Sequence, residues 1–119
     1  MDFHDFYQDF IENLSPRDYS SNLKEWGEDI PWTLIFSSLG RYFVNDFNLL
    51  HEKNRNNIFH LIKVAMEKKG SLSTSVATGL LEELHKSSMK NSALANEIRG
   101  RLDTESSRYL EAWAKWSES

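Results

Sequence analysis

The chain is 119 residues long, 39% hydrophobic and 13% aromatic, with no cysteine and a formal net charge of −4 at pH 7. This length predicts a single domain, residues 1–119, with one ordinary hydrophobic core. The lack of cysteine excludes disulfide bonds, a thiolate nucleophile and a cysteine metal site. Uncharged runs such as residues 30–40 are far shorter than the roughly 20 apolar residues of a membrane span, so we predict no membrane segment.

The charges are unevenly distributed along the chain. Residues 1–50 hold nine acids against three bases, a net charge of −6, whereas residues 51–119 hold nine acids and eleven bases. Phosphate binding needs clustered Lys and Arg, so the acidic half disfavours nucleic acid and suits a basic protein partner. The first acids, Asp2 and Asp5, also stand where a signal peptide has its basic start, which predicts a cytoplasmic protein.

The cleanest helical pattern lies in residues 2–14. Its apolar residues recur at three- and four-residue spacing and share one face; they are Phe3, Phe6, Tyr7, Phe10, Ile11 and Leu14. Asp2, Asp5, Asp9 and Glu12 fall within about 80° of one another beside that face. Asp2 and Asp5 can complement the positive end of the helix dipole. Asp9 and Glu12 cannot, so we interpret them as a candidate binding surface.

The stretch KEWGEDIPW, residues 24–32, forms a predicted corner. A helix capped by Ser15 ends at Gly27, and Pro31 opens the next helix, which runs to about residue 50. Trp26 and Trp32 are predicted to face the core, with Trp32 a weaker candidate for a partner anchor. The acids of the corner continue the charge of the first helix; they are Glu25, Glu28 and Asp29. Gly40, inside the second of these helices, predicts close packing of a neighbour.

Four further helical patterns follow. One lies in residues 56–70, one starts after a cap at Ser73, one starts near Ser92, and the last starts at Asp103 or Thr104. No stretch alternates with a period of two for long enough to predict a strand. The sequence therefore predicts an all-α fold, a single compact bundle of about six to seven helices.

The search for catalytic chemistry finds no site. Glu82 and His85 match one Glu-x-x-His unit of a di-iron bundle, but such a site needs two units and further carboxylates. Glu82 and Glu83 are therefore interpreted as solvent-facing helix formers. Nucleophile elbows and glycine-rich phosphate loops are absent from the sequence. We predict no catalytic residues, no metal, no cofactor and no enzymatic activity.

Three segments together resemble a family of small, all-helical bacterial proteins. They are DIPWTLIFSSLGRYFV (29–44), VATGLLEELHK (76–86) and DTESSRYLEAWAKW (103–116). The resemblance spans nearly the whole chain, and the order and spacing of the segments carry more weight than any one of them. This sequence has LDTES where the family has LGPES, so the start of its last helix departs from the family pattern.

Members of that family resemble immunity proteins of contact-dependent growth-inhibition and polymorphic toxin systems. The resemblance implies that this chain neutralises a cognate toxin C-terminal domain, a basic nuclease, and is by itself a monomer or weak dimer. We predict that the partner-binding residues are Asp9, Glu12, Glu25, Glu28 and Asp29. The alternatives are a helical regulatory or adaptor module, or an enzyme without a recognisable motif.

Overall fold

A computed structural model describes residues 1–14, 23 and 26–118. These residues form helices and turns with no strand among them. The helices, in chain order, are α1 (Phe3–Glu12), α2 (Trp32–Asp46), α3 (Glu52–Glu67), α4 (Ser71–Ser75), α5 (Glu82–Ser88), α6 (Ser92–Arg101) and α7 (Thr104–Glu118). A 3₁₀ turn, Phe47–Leu49, follows α2, and a π-helical segment, Val76–Leu81, joins α4 to α5 without a break. The radius of gyration is 13.6 Å, as expected for a compact domain of this length, and the predicted all-α bundle is confirmed.

The ends of several helices follow from side-chain caps. The Asp2 carboxylate accepts a hydrogen bond from the Asp5 N–H at 2.8 Å and so caps α1. The Asn91 side chain accepts from the Leu94 N–H at 3.1 Å, and Asp103 accepts from the Ser106 N–H at 3.1 Å. These bonds satisfy N–H groups that have no partner within their own helix. Asp103 therefore caps the last helix, one of the two starts that the sequence predicts.

Two predicted boundaries need correction. Helix α4 begins at Ser71 rather than after Ser73, and the Ser73 hydroxyl instead accepts a hydrogen bond from the Gly70 N–H at 3.0 Å. Helix α2 ends at Asp46 rather than near residue 50, because the chain tightens there into the 3₁₀ turn. The predicted helix before Gly27 lies largely in residues 15–22, 24 and 25, which are outside the described residues.

Aromatic side chains form the middle of the core. Phe6 of α1 packs on Phe36 of α2 with ring centroids 5.0 Å apart, and Phe43 of α2 packs on Phe59 of α3 at 5.5 Å. All four rings are buried. Since each buried aromatic removes a large apolar area from water, this cluster fixes α1, α2 and α3 against one another.

Helix α2 makes its closest approach to the π-helical segment. A β-carbon added at Gly79 would lie 2.4 Å from the Thr33 carbonyl oxygen, and one at Gly40 would lie 3.1 Å from the Leu80 carbonyl oxygen. Beside this approach, the Ser37 hydroxyl donates to the Gly79 carbonyl at 3.3 Å. The prediction that Gly40 permits close packing is confirmed. No described helix is long and apolar enough to cross a membrane.

Candidate functional site

The four acids of the α1 stripe divide into two functional pairs. Asp2 and Asp5 cap each other's backbone N–H groups at the start of α1, at 2.8 and 3.4 Å. Asp9 and Glu12 are exposed and take no part in capping. This is the division that the sequence predicts. It leaves the carboxylates of Asp9 and Glu12 available on the surface.

Asp9 and Glu12 line a pocket between α1 and α3. The cavity measures about 240 Å³. We call it the α1–α3 pocket, and its lining residues are Asp9, Glu12, Asn13, Asn57, His60 and Leu61. The first three come from α1 and its C-terminal cap, and the others come from α3. The pocket therefore exists because α1 packs beside α3, a relation between two separate helices.

Asparagine side chains tie the two walls of the pocket together. The Asn57 amide nitrogen donates to the Asn13 side-chain oxygen at 3.0 Å, and the Asn54 amide nitrogen donates to the Asn13 carbonyl at 3.2 Å. Asn13 in turn donates to the Asp9 carbonyl at 2.8 Å. These bonds hold the amide groups in fixed orientations before any partner arrives.

The carboxylates of the pocket have no partner among the residues that the structure describes. Within the described part of the chain, neither Asp9 nor Glu12 accepts a hydrogen bond or forms an ion pair through its side chain. They are three residues apart on one helix, so they are neighbours on its surface. The pocket thus presents two adjacent negative charges to solvent.

The corner before α2 carries the other predicted acids. Glu28 and Asp29 are exposed, and neither is ion-paired within the described residues. Glu25 lies outside the described residues. Gly27 has a φ of 61°, and the Asp29 N–H donates to the Trp26 carbonyl at 3.2 Å, so this stretch is a tight turn.

One tryptophan prediction is wrong. Trp26 is predicted to face the core but is 45% exposed, because it opens the tight turn at the surface instead of lying on a buried helix face. Trp116, at the end of α7, is also exposed. Trp32 is half-buried, with its ring 5.5 Å from that of Phe3, as predicted for a core residue.

The predicted site residues form two pairs rather than one cluster. Helices α1 and α2 run side by side in the same direction, since Phe3 packs on Trp32 and Phe10 packs on Phe43. The corner comes just before Trp32, so it lies near the first turns of both α1 and α2. Asp9 and Glu12 lie six and nine residues beyond Phe3, and a rise of 1.5 Å per residue places them about 9 and 14 Å further along the axis.

A second polar cluster joins α5, α6 and α7. The Tyr109 hydroxyl donates to the Glu82 carboxylate at 2.5 Å, and Arg99 lies 3.3 Å from Nδ1 of His85. A guanidinium group can only donate, so His85 Nδ1 accepts. Burial, followed by the hydrogen bond and the charge of Glu82, raises the pKa of Tyr109 far above its usual range.

This cluster corrects the interpretation of Glu82 and Glu83 as solvent-facing. Both are half-buried, because Glu82 binds Tyr109 and Glu83 pairs with Arg41 of α2 at 2.7 Å. The Glu-x-x-His unit thus has its polar atoms engaged between helices. Among the described residues, no group of three His, Asp or Glu side chains is arranged to hold a metal ion.

Three polar residues of the α1–α3 pocket were missed from the sequence, namely Asn13, Asn57 and His60. Asn13 stands at the end of α1, and Asn57 and His60 lie on an exposed face of α3. The sequence around these residues does not indicate that α1 and α3 pack side by side. In comparisons with protein-family models, curated proteins and solved structures, nothing matches this chain.

Proposed function

We propose that this chain is a cytoplasmic immunity protein that binds and neutralises a cognate antibacterial toxin domain, a basic nuclease. We define its acidic surface as the four described residues Asp9, Glu12, Glu28 and Asp29. The observation that carries the proposal is the contrast between these acids and those that follow in the chain. All four are exposed and free of ion pairs within the described residues.

The later acids are largely used within the fold. Six ion pairs occur among the described residues, and their acids are Glu52, Glu67, Glu83, Glu97 and Glu105. Arginine and lysine side chains therefore neutralise much of the negative charge beyond residue 50. The acidic surface keeps its charge, and a field of one sign attracts a protein of the opposite sign.

The physical requirements of toxin neutralisation fit such a surface. A nuclease that binds phosphate has a basic cleft. Complementary charge steers two proteins together and raises the association rate well above that of neutral partners. The exposed Trp26 ring beside Glu28 and Asp29 adds a large aromatic group of the kind that anchors interfaces. Blocking a cleft requires no chemistry from the inhibitor.

The proposal is tested with the C-terminal domain of the large secreted protein encoded upstream, where such a gene is present. We expect the wild-type chain to co-purify with that domain and inhibit it. Reversing the acidic surface, with Asp9→Lys, Glu12→Lys, Glu28→Lys and Asp29→Lys together, should abolish binding in surface plasmon resonance. The helical circular dichroism should not change, because all four side chains are exposed.

A matched control reverses four acids elsewhere. Glu67→Lys, Glu97→Lys, Glu105→Lys and Glu111→Lys change the net charge by the same amount but leave the acidic surface intact. The first three break ion pairs with Lys63, Arg101 and Arg108, so helical circular dichroism must verify that the control folds. This control should slow association without abolishing the complex, because it removes only the long-range part of the attraction. Unchanged affinity after reversal of the acidic surface would contradict the site.

A further inference from the structure

The α1–α3 pocket presents hydrogen-bond acceptors that receive no donor from the described part of the chain. These include the carboxylates of Asp9 and Glu12. Asn57 uses its amide nitrogen to bind Asn13, which leaves the amide oxygen of Asn57 as a third acceptor with no donor among the described residues. A group that binds in this cavity and satisfies these three acceptors must carry several hydrogen-bond donors. We call that group the guest.

The guest must also be positively charged and partly apolar. Two adjacent carboxylates favour a cation, and half-buried Leu61 provides an apolar wall for an aliphatic stem. A guanidinium group is planar and carries five N–H donors, so it can serve acceptors in several directions at once. The ammonium group of lysine has three donors on a point charge and matches this arrangement less well.

The neighbouring depression does not compete for such a guest. It lies on the other side of His60, measures about 310 Å³ and is lined in part by Lys63 and Arg101. Arg101 is already paired with Glu52 and Glu97. With two bases and one carboxylate, Asp103, in its lining, that depression is less favourable to a cation than the side of α3 that faces α1.

The pocket is also ordered in advance. The bonds from Asn57 and Asn54 to Asn13 join its two walls, and the bond from Asn13 to the Asp9 carbonyl fixes the end of α1. Binding to a rigid site loses less conformational entropy than binding to a mobile one. We propose, on the basis of the function proposed above, that the α1–α3 pocket receives a single arginine side chain of the partner protein.

This assignment makes the pocket the specificity-determining part of the acidic surface. An arginine paired with two carboxylates in a recess is shielded from water by the surrounding interface, and truncating one side of such a pair has a large effect on dissociation. The acids of the corner lie on an open turn and contribute chiefly to steering. The two pairs of acids thus have different roles.

The first test uses the whole chain and a probe of the guest. We titrate the ¹⁵N-labelled protein with N-acetylarginine amide and follow the side-chain amides of Asn13 and Asn57 and the backbone amide of Leu61. We expect saturable shifts at millimolar concentration. N-acetylcitrulline amide, which has the same shape without the charge, should cause no such shifts, and neither probe should shift these signals in the Asp9→Asn, Glu12→Gln variant.

Three results would overturn the assignment. They are the absence of saturable shifts with the arginine probe, equal shifts with the citrulline probe, and equal shifts in the neutralised variant. Because the two substitutions preserve side-chain shape and both residues are exposed, the variant should fold normally. Its unchanged spectrum outside the pocket verifies that.

The second test separates this inference from the proposed function. The toxin domain is titrated against the wild type, the Asp9→Asn, Glu12→Gln variant and a matched Glu28→Gln, Asp29→Asn variant. We expect the pocket variant to bind about 100-fold more weakly, through faster dissociation, and the corner variant to lose less than about 10-fold, through slower association. Equal losses in the two variants overturn the pocket assignment while leaving the immunity function intact. If the wild type does not bind the toxin domain, the proposed function fails and the arginine titration alone decides the pocket.

Discussion

The acidic surface and the helical framework use carboxylates in opposite ways. In the framework, formed by α2 to α7, Glu83 pairs with Arg41 and Glu82 accepts from Tyr109, so that each acid joins two helices. On the acidic surface, the carboxylates of Asp9 and Glu12 join nothing within the described residues. The difference predicts that a substitution in the framework lowers stability, whereas one on the acidic surface leaves stability nearly unchanged and, if the proposed function holds, changes binding instead.

The largest effect on stability should come from Gly79→Ala. The added β-carbon would lie 2.4 Å from the Thr33 carbonyl oxygen. Backbone must move to relieve that overlap, so we expect a loss of about 3 kcal/mol in the free energy of unfolding. Chemical denaturation measures it. Gly100→Ala on exposed α6, where a β-carbon meets nothing within 4 Å, is the control and should instead gain about 0.5–1 kcal/mol.

A smaller effect is expected for Tyr109→Phe. This change removes the hydrogen bond to Glu82, which should lower the free energy of unfolding by about 1–2 kcal/mol at neutral pH. Urea denaturation of both proteins at pH 7 measures the difference. A neutral result would show that the bond between Tyr109 and Glu82 does not help to hold α7 against α5.

The raised pKa of Tyr109 predicts that the stability of the fold decreases at alkaline pH. Its folded pKa lies above the value of about 10 for an unfolded tyrosine. Its stabilising contribution is therefore complete below about pH 10 and is lost as the pH rises beyond that value, because the unfolded chain then releases a proton that the folded chain retains. The wild type should lose stability more steeply than Tyr109→Phe between neutral and strongly alkaline pH. Parallel profiles would contradict this.

The smallest expected changes in stability test the difference between the framework and the acidic surface most directly. Glu52 pairs with both Arg55 and Arg101, so Glu52→Gln should lower the free energy of unfolding by about 0.5–1 kcal/mol. Asp9→Asn, at another exposed acid that has no ion pair among the described residues, should change it by less than about 0.5 kcal/mol. Thermal unfolding at low and high salt measures both. If Asp9→Asn destabilises the chain as much as Glu52→Gln does, the distinction between the two regions is wrong.

Patterns within single helices predicted much of the fold. The apolar face predicted in residues 2–14 does lie in the core, where Phe6, Tyr7, Phe10 and Leu14 are buried and Phe3 and Ile11 pack against them. A periodic pattern of this kind reports burial directly, since a helix repeats its faces every 3.6 residues. The same pattern failed at Trp26, where the chain forms a tight turn and has no helical face.

Relations between helices were not predictable from the sequence. The π-helical form of Val76–Leu81 accompanies the close approach of α2 at Gly79, and nothing local distinguishes that stretch from an α-helix. The α1–α3 pocket likewise depends on Asn57 meeting Asn13 across 44 positions of the chain. Asp9 and Glu12 could be predicted because both lie on one helix, whose charge pattern can be read from the sequence. Asn13 and Asn57 could not be predicted, because they come together only when α1 packs beside α3.

The π-helical segment gives the chain a place where a change in length can be absorbed. An α-helix closes its hydrogen bonds over four residues and a π-helix over five, so the segment accommodates one additional residue. Deleting one exposed position there, such as Thr78, would restore α-helical bonding and leave the helix beyond it in nearly the same phase. Leu84 would then stay in the core and Glu83 would stay on the side of Arg41. A deletion within α5 itself has no such bulge to absorb it and would rotate every later residue of that helix by about 100°.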